Sequence, residues 1–154
     1  MVGATFRYMP DKALTNATVE WIRRMHDSVN ALDQPPTELK SPVTDDFTFE
    51  DRRSGGMNFG HGDASGAWLY MASMWDVGSG RPQMSMSEVV AVRGDRLAAV
   101  VEVIDYGHDN FTEGLVCYRL DPGLKRLQRA IVQDPSEVDA AISELDRMHN
   151  ELDD

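Results

Sequence analysis

Between residues 84 and 132 the chain reads as four strands joined by turns too short to hold a crossover. Extended segments at 84–92, 96–106, 111–120 and 126–132 are divided by Gly94-Asp95, by Gly107-His108-Asp109-Asn110 and by Asp121-Pro122-Gly123. Turns of that length join antiparallel neighbours, because a parallel connection needs a dozen residues or more. The spacing predicts an antiparallel meander, and everything else in the chain has to be arranged around it. The second of these strands has the long centre Leu97-Ala98-Ala99-Val100-Val101-Glu102-Val103-Ile104.

Helical patterns flank the meander. Asn16 suits a helix cap, and Val19, Ile22, Met25, Val29 and Leu32 recur at three- and four-residue spacing, which predicts a helix over about 16–32. Trp21 lies off that stripe and is expected to pack against another element. Prolines at 35, 36 and 42 make 33–45 a loop. Asp63 reads as the cap of a second helix over 64–77, with Trp68, Met71, Ala72 and Trp75 on one face. Gly78-Ser79-Gly80-Arg81-Pro82 ends it. The last helix opens with Asp134-Pro135-Ser136-Glu137, read as N-cap, first-turn proline and N3 glutamate. Val138, Ala141, Ile142, Leu145, Met148 and Leu152 then trace one face. Residues 1–14 read as a flexible leader and 15–154 as a single domain. Helices grouped against one curved antiparallel sheet make an α+β domain, and such a sheet closed on one side leaves a cone-shaped cavity.

A further strand, Phe47-Thr48-Phe49-Glu50-Asp51-Arg52-Arg53, precedes a glycine-rich loop over 54–62. Alternate side chains of a strand share a face, so Phe47, Phe49 and Asp51 point one way. If the phenylalanines face a core or cavity, Asp51 goes inside with them. A carboxylate there is costly unless it is paired or used.

Charge and cysteine content narrow the partners. The net charge is −11, from 26 acids against 15 bases, so neither nucleic acid nor an anionic membrane surface is expected as a partner. The acids crowding the C-terminal segment read as a solvated helix face. Cys117 is the single cysteine, which rules out an intrachain disulfide and a cysteine-rich zinc site; it reads as a buried, inert thiol. His61 with Asp63, or His108 with Asp109, lacks a third ligand at meaningful spacing, so no metal is expected, and no cofactor is called for. Neither a signal peptide nor a membrane span is read, and a cytoplasmic location is the default. Arg93-Gly94-Asp95 falls where a tight turn is expected.

The order of elements and several local motifs resemble the SnoaL-like branch of the nuclear transport factor 2 (NTF2) superfamily. The resemblance rests on Phe-Glu-Asp-Arg-Arg at 49–53, Gly62-Asp63-Ala64 opening a helix, and the hairpin Val-Ala-Val-Arg-Gly-Asp-Arg-Leu-Ala at 90–98. Asp-Pro-Ser-Glu-Val-Asp-Ala-Ala at 134–141 completes it. Together these cover about residues 15–152. The resemblance implies a cone-shaped NTF2-like fold and a homodimer. The superfamily contains polyketide cyclases, ketosteroid isomerases and epoxide hydrolases as well as ligand binders and dimerisation modules, so fold alone does not choose a function. Asp51 matches the position of the isomerases' proton-abstracting aspartate. The remaining isomerase groups do not carry over: the first helix has no tyrosine counterpart, and the second aspartate should fall near Val116, where no acid stands. The hydrolases' aspartate–arginine–aspartate arrangement finds no placement.

Each candidate residue carries two readings. Asp51 is either a general base or one half of a salt bridge to Arg52, Arg53 or Arg129. His61 is a proton shuttle at the cavity mouth or a solvated loop residue. Phe49, Met57, Trp68, Met71, Trp75, Met86 and Tyr106 line a cavity for an apolar small molecule or pack an ordinary core. His26 reads as helix surface. Three functions follow: a dimeric module that binds an apolar small molecule, an enzyme of the cyclase or isomerase type that uses Asp51, and a structural module with a filled cone. The cavity discriminates them: an open pocket with Asp51 paired to an arginine favours the first, an open pocket lined by Met and Trp with Asp51 at its floor favours the second, and a packed cone favours the third.

Overall fold

The computed structural model describes residues 14–33, 42–54, 61–63, 75 and 81–152. These form α1 (Ala17–Asn30), β1 (Val43–Asp51), β2 (His61–Gly62), β3 (Gln83–Arg93), β4 (Leu97–Gly107), β5 (Asn110–Leu120), β6 (Leu127–Gln133) and α2 (Val138–Leu152). The leader over 1–13 lies outside the described residues, as does the second helix apart from Trp75, which is helical.

The four meander strands pair in sequence order as antiparallel neighbours. Two turns show why. Gly94 takes φ +54° between β3 and β4, and His108 and Asp109 take φ +55° and +61° between β4 and β5. Positive φ at both central residues gives the turn a twist that matches the strands it joins. The full strand order is β2-β1-β6-β5-β4-β3. The chain enters at β1, crosses to the far edge at β3, and walks back until β6 arrives beside β1. That last pair is parallel, with Phe49 level with Ala130 and Asp51 level with Val132. The result is the expected α+β arrangement, a curved and mostly antiparallel sheet packed against helices.

Side-chain alternation in β4 assigns the helices to faces. Ala98 and Val100 point into a cluster with Val19, Trp21 and Ile22 of α1, together with Phe47, Val116, Tyr118 and Ala130. Leu97, Ala99 and Val101 point the other way, toward Ala141, Leu145 and Met148 of α2, with Leu115, Cys117 and Ile131. The two described helices therefore cover opposite faces rather than closing the sheet on one side. Full burial of a Leu, Val or Ile contributes about 1.5–3 kcal/mol each, so these two stripes hold the layers together.

α1 is fixed at its N-terminus by the β3–β4 turn. Asn16 Oδ1 caps the helix by accepting from Val19 N at 2.9 Å, while its Nδ2 donates to the carbonyls of Gly94 and Leu97 at 2.8 Å each. Thr18 Oγ1 donates to the Asp95 carbonyl at 2.6 Å. The Arg93-Gly94-Asp95 turn is thus a docking point for the helix. Trp21 packs as expected, and its Nε1 donates to the Lys125 carbonyl at 3.0 Å.

Three boundaries differ from the sequence expectation. β1 begins at Val43, inside the expected loop, because Val43 and Thr44 are buried and Leu127 N donates to the Pro42 carbonyl. His61 and Gly62, placed in the glycine-rich loop, pair with Glu50 and Phe49. α2 starts at Val138, not Pro135. Asp134 does not cap it, because its carboxylate accepts from Ser54 N and Oγ instead.

On the α2 side Cys117 is fully buried, and burial, reinforced by the Glu144 charge, pushes its thiol up to about 12. A thiol so placed is inert. Glu144 bonds Arg147 and lies 3.6 Å from Arg52. Burial raises its pKa, but the hydrogen bond and charge of Arg147, with Arg52 and Arg129, outweigh burial and leave it lowered. A carboxyl with a folded pKa below its unfolded one stabilises the fold above the unfolded value. That contribution is lost as pH falls through the folded one. Glu144→Gln is expected to be less stable than the parent by about 1 kcal/mol near neutral pH. Urea unfolding across a pH series should show the two proteins converging below the carboxylate range.

Candidate functional site

The α1 face of the sheet carries two buried charged centres, Asp51 on β1 and Glu102 on β4, with β6 and β5 between them. The first is Asp51, which follows Phe47 and Phe49 onto this face; those two rings stack with centroids 6.4 Å apart. Arg53 holds the carboxylate through both oxygens. Nε donates to Oδ1 at 2.9 Å and Nη2 to Oδ2 at 2.6 Å, while Arg53 N adds a bond to Oδ1 at 3.0 Å. Only 4% of the Asp51 side chain and 10% of the Arg53 side chain is exposed. A planar guanidinium matched to both oxygens of a carboxylate is the strongest pairing available to it. Of the two readings of Asp51, the salt bridge is the one the geometry displays.

Arg53 lies across Gly114 of β5. A Cβ added at Gly114 would stand 2.7 Å from Val132 Cγ1, 3.7 Å from Arg53 Nη1 and 3.8 Å from Arg53 Cδ. The close contact is with Val132, so glycine at 114 makes room for the Val132 side chain, while Arg53 lies at ordinary van der Waals distance. In the β4–β5 register Gly114 faces Glu102, which in turn faces Met86 of β3.

Glu102 is the second centre. His26 Nε2 lies 2.8 Å from Glu102 Oε2, and Tyr118 OH donates to the same oxygen at 2.5 Å. His26 is 4% exposed, Tyr118 5% and Glu102 9%. Glu102 is the lone charged residue of the β4 centre, and with His26 and Tyr118 it joins α1, β4 and β5 across the interior. An imidazole, a carboxylate and a phenol in one hydrogen-bonded chain can hold a proton and offer hydrogen bonds in apolar surroundings.

His26 was expected on the helix surface, and its burial corrects that expectation. Val19, Ile22, His26 and Val29 are the buried members of the stripe, spaced three, four and three residues apart. Met25, assigned to the stripe from its hydrophobicity, is half-buried at its flank. The spacing alone carried the signal for His26. For Glu102 the signal was a carboxylate in an otherwise apolar strand, which needs a partner when buried.

The remaining candidates divide. Phe49 and Met86 are half-buried and pack on the α1-face cluster. Tyr106 is buried with Val29, Met84 and Ile104, and Trp75 packs against them. Trp75 Nε1 is buried with no hydrogen-bond partner. The backbone of His61 pairs with Glu50 at the sheet edge. Met57, Trp68 and Met71 lie outside the described residues. Among the described residues no group of three or more His, Cys, Asp or Glu is placed to hold a metal ion, and no described helix is long and apolar enough to cross a membrane.

No protein-family model matches the sequence, and no curated protein does. In structure the chain is similar to a protein of unknown function with a cystatin-like fold from Methylobium petroleophilum PM1. The TM-score is 0.57 at 15% identity, covering 77% of this chain and 76% of that one. It is less similar to an LEH-like epoxide hydrolase from M. tuberculosis, with TM-score 0.40, 14% identity and 80% of each chain covered. A second protein of unknown function with a cystatin-like fold, from Nostoc punctiforme PCC 73102, gives 0.39 at 14% identity, over 62% of this chain and 73% of that one. The first likeness gives the fold, cystatin-like or NTF2-like α+β, and no activity.

The Asp51–Arg53 pair predicts a specific mutational pattern. Arg53→Met leaves a buried carboxylate uncompensated and should destabilise the fold by about 3–5 kcal/mol. Adding Asp51→Asn removes the charge and should recover a large part of that loss. Guanidinium unfolding of the parent, both single variants and the double variant measures the coupling.

Proposed function

We propose that this chain is a SnoaL-like module that binds an apolar small molecule on the α1 face of its sheet, and that Asp51 holds the site together rather than abstracting a proton. The observation that carries this reading is the two-point pairing of Asp51 with Arg53. Both oxygens that a free general base would turn toward a substrate are engaged by Arg53. On the same face, Phe49, Met86, Tyr106 and Trp75 supply soft and aromatic side chains suited to an apolar ligand. The unpartnered Trp75 Nε1 is a donor that a ligand atom would satisfy.

A panel of apolar small molecules screened by thermal shift against the parent and Asp51→Asn tests the reading. A binder at a hundredfold excess over its Kd adds about 2.7 kcal/mol of stability. For a chain of this size that corresponds to a rise in Tm of roughly 5–10 °C. Asp51→Asn is expected to melt lower without ligand and to keep the ligand-induced rise. Turnover of a bound carbonyl compound, with solvent proton exchange that vanishes in Asp51→Asn, would reinstate the enzyme of the cyclase or isomerase type. No shift with any member of the panel would favour the filled, structural cone.

The homodimer belongs to the same proposal and rests on the resemblance. Sedimentation velocity at micromolar concentration is expected to give twice the 17.2 kDa chain mass. A monomer would remove dimerisation from the reading without touching ligand binding.

A further inference from the structure

We propose that Glu102, held by His26 and Tyr118, is the polar contact of the ligand site and selects an apolar molecule that carries an acidic hydroxyl, a phenol or an enol. This deepens the binding reading above and rests on it.

The geometry at Glu102 is lopsided. His26 Nε2 and Tyr118 OH both converge on Oε2, and among the described residues no donor reaches Oε1. A carboxylate oxygen can accept two hydrogen bonds, so the second oxygen is open to a further donor. In apolar surroundings that vacancy favours the strongest donor on offer. An O–H bonded to a carboxylate is about twice as strong as a neutral pair. The step is recognition only: the proton stays on the ligand oxygen, and no covalent bond is made or broken.

The second observation is a route from the surface. Met86 faces Glu102 in the β3–β4 register, and the register slips between Met86 and Glu88. The same Met86, with Ser87, Glu88, Val89 and Arg23, lines a groove between the edge strand and α1. Arg23 stands one turn before His26 on the helix. Glu102 is therefore one side chain in from the groove, behind a methionine, whose three rotatable bonds make it the most yielding of the apolar side chains. A slip at an edge strand is where sheets commonly re-aim a side chain beside a site.

The third is the chemistry of the walls. Met84, Ile104, Tyr106 and Trp75 continue along the same face beyond Glu102. They make the surroundings of the acceptor apolar and aromatic. A flat ring with one hydroxyl matches that pairing. An anionic ligand does not, because it would meet the Glu102 charge.

Titration calorimetry with naphthalene, 2-naphthol and 2-methoxynaphthalene separates the donor from the ring. On the parent, 2-naphthol is expected to bind at least about tenfold more tightly than either of the others, in line with one charge-assisted hydrogen bond. In Glu102→Gln, confirmed as folded by circular dichroism, that preference should vanish while naphthalene binding persists. If 2-naphthol binds the parent no better than naphthalene, the proposal falls and the binding reading stands. If none of the three binds, both fall. A preference that survives in folded Glu102→Gln places the contact elsewhere and overturns the assignment. Should Glu102→Gln fail to fold, the three-ligand comparison on the parent decides alone.

Discussion

β4 is covered on both faces, and the rest of the structure answers to that constraint. Leu97 through Glu102 are buried without a break, with α1 and α2 supplying the opposite covers. That buried run has no water to solvate a polar side chain, so its one carboxylate, Glu102, must find partners inside the protein. His26 comes from the helix above and Tyr118 from the neighbouring strand, and both reach the same oxygen. The packing of α1 and the identity of the candidate site are therefore one problem with one solution. The helix is aimed at Glu102 because its N-terminus is tied to the turn between β3 and β4 by Asn16 and Thr18.

The two carboxylates of the α1 face are handled differently, and the contrast separates structure from function. Asp51 is closed: a guanidinium occupies both of its oxygens. Glu102, among the described residues, is half-closed, with two donors crowded onto one oxygen. Complete satisfaction fixes a fold. Incomplete satisfaction, next to a methionine and a surface groove, leaves an atom with something still to bind. The aspartate that sequence position made the obvious base is thus the more structural of the two.

Much of the architecture was legible beforehand because it rests on short-range chemistry. Turn residues set the antiparallel pairing of β3 to β6, since the φ values at Gly94, His108 and Asp109 are local properties. The stripes of α1 and α2 followed from helical spacing. Where local chemistry competed with distant partners, local reading failed. Asp134 has the makings of a helix cap, yet Ser54, eighty residues away, takes its carboxylate. Val43 sits among prolines, yet β6 draws it into the sheet. His26 was assigned outward on polarity, although the spacing of its neighbours pointed inward.

By itself, the sequence determined that this is an α+β chain built around an antiparallel meander and that Asp51 shares a face with Phe47 and Phe49. These follow from periodicities that need no knowledge of distant contacts. The tertiary structure decided which cation takes Asp51, which face each helix covers, and that His26, Glu102 and Tyr118 meet. Those three residues are separated by 76 and 16 positions along the chain. Nothing in the covalent spacing links them. What brings them together is the register of β4 against β5 and the docking of α1 on its turn, and both are settled by burial of apolar surface over the whole domain.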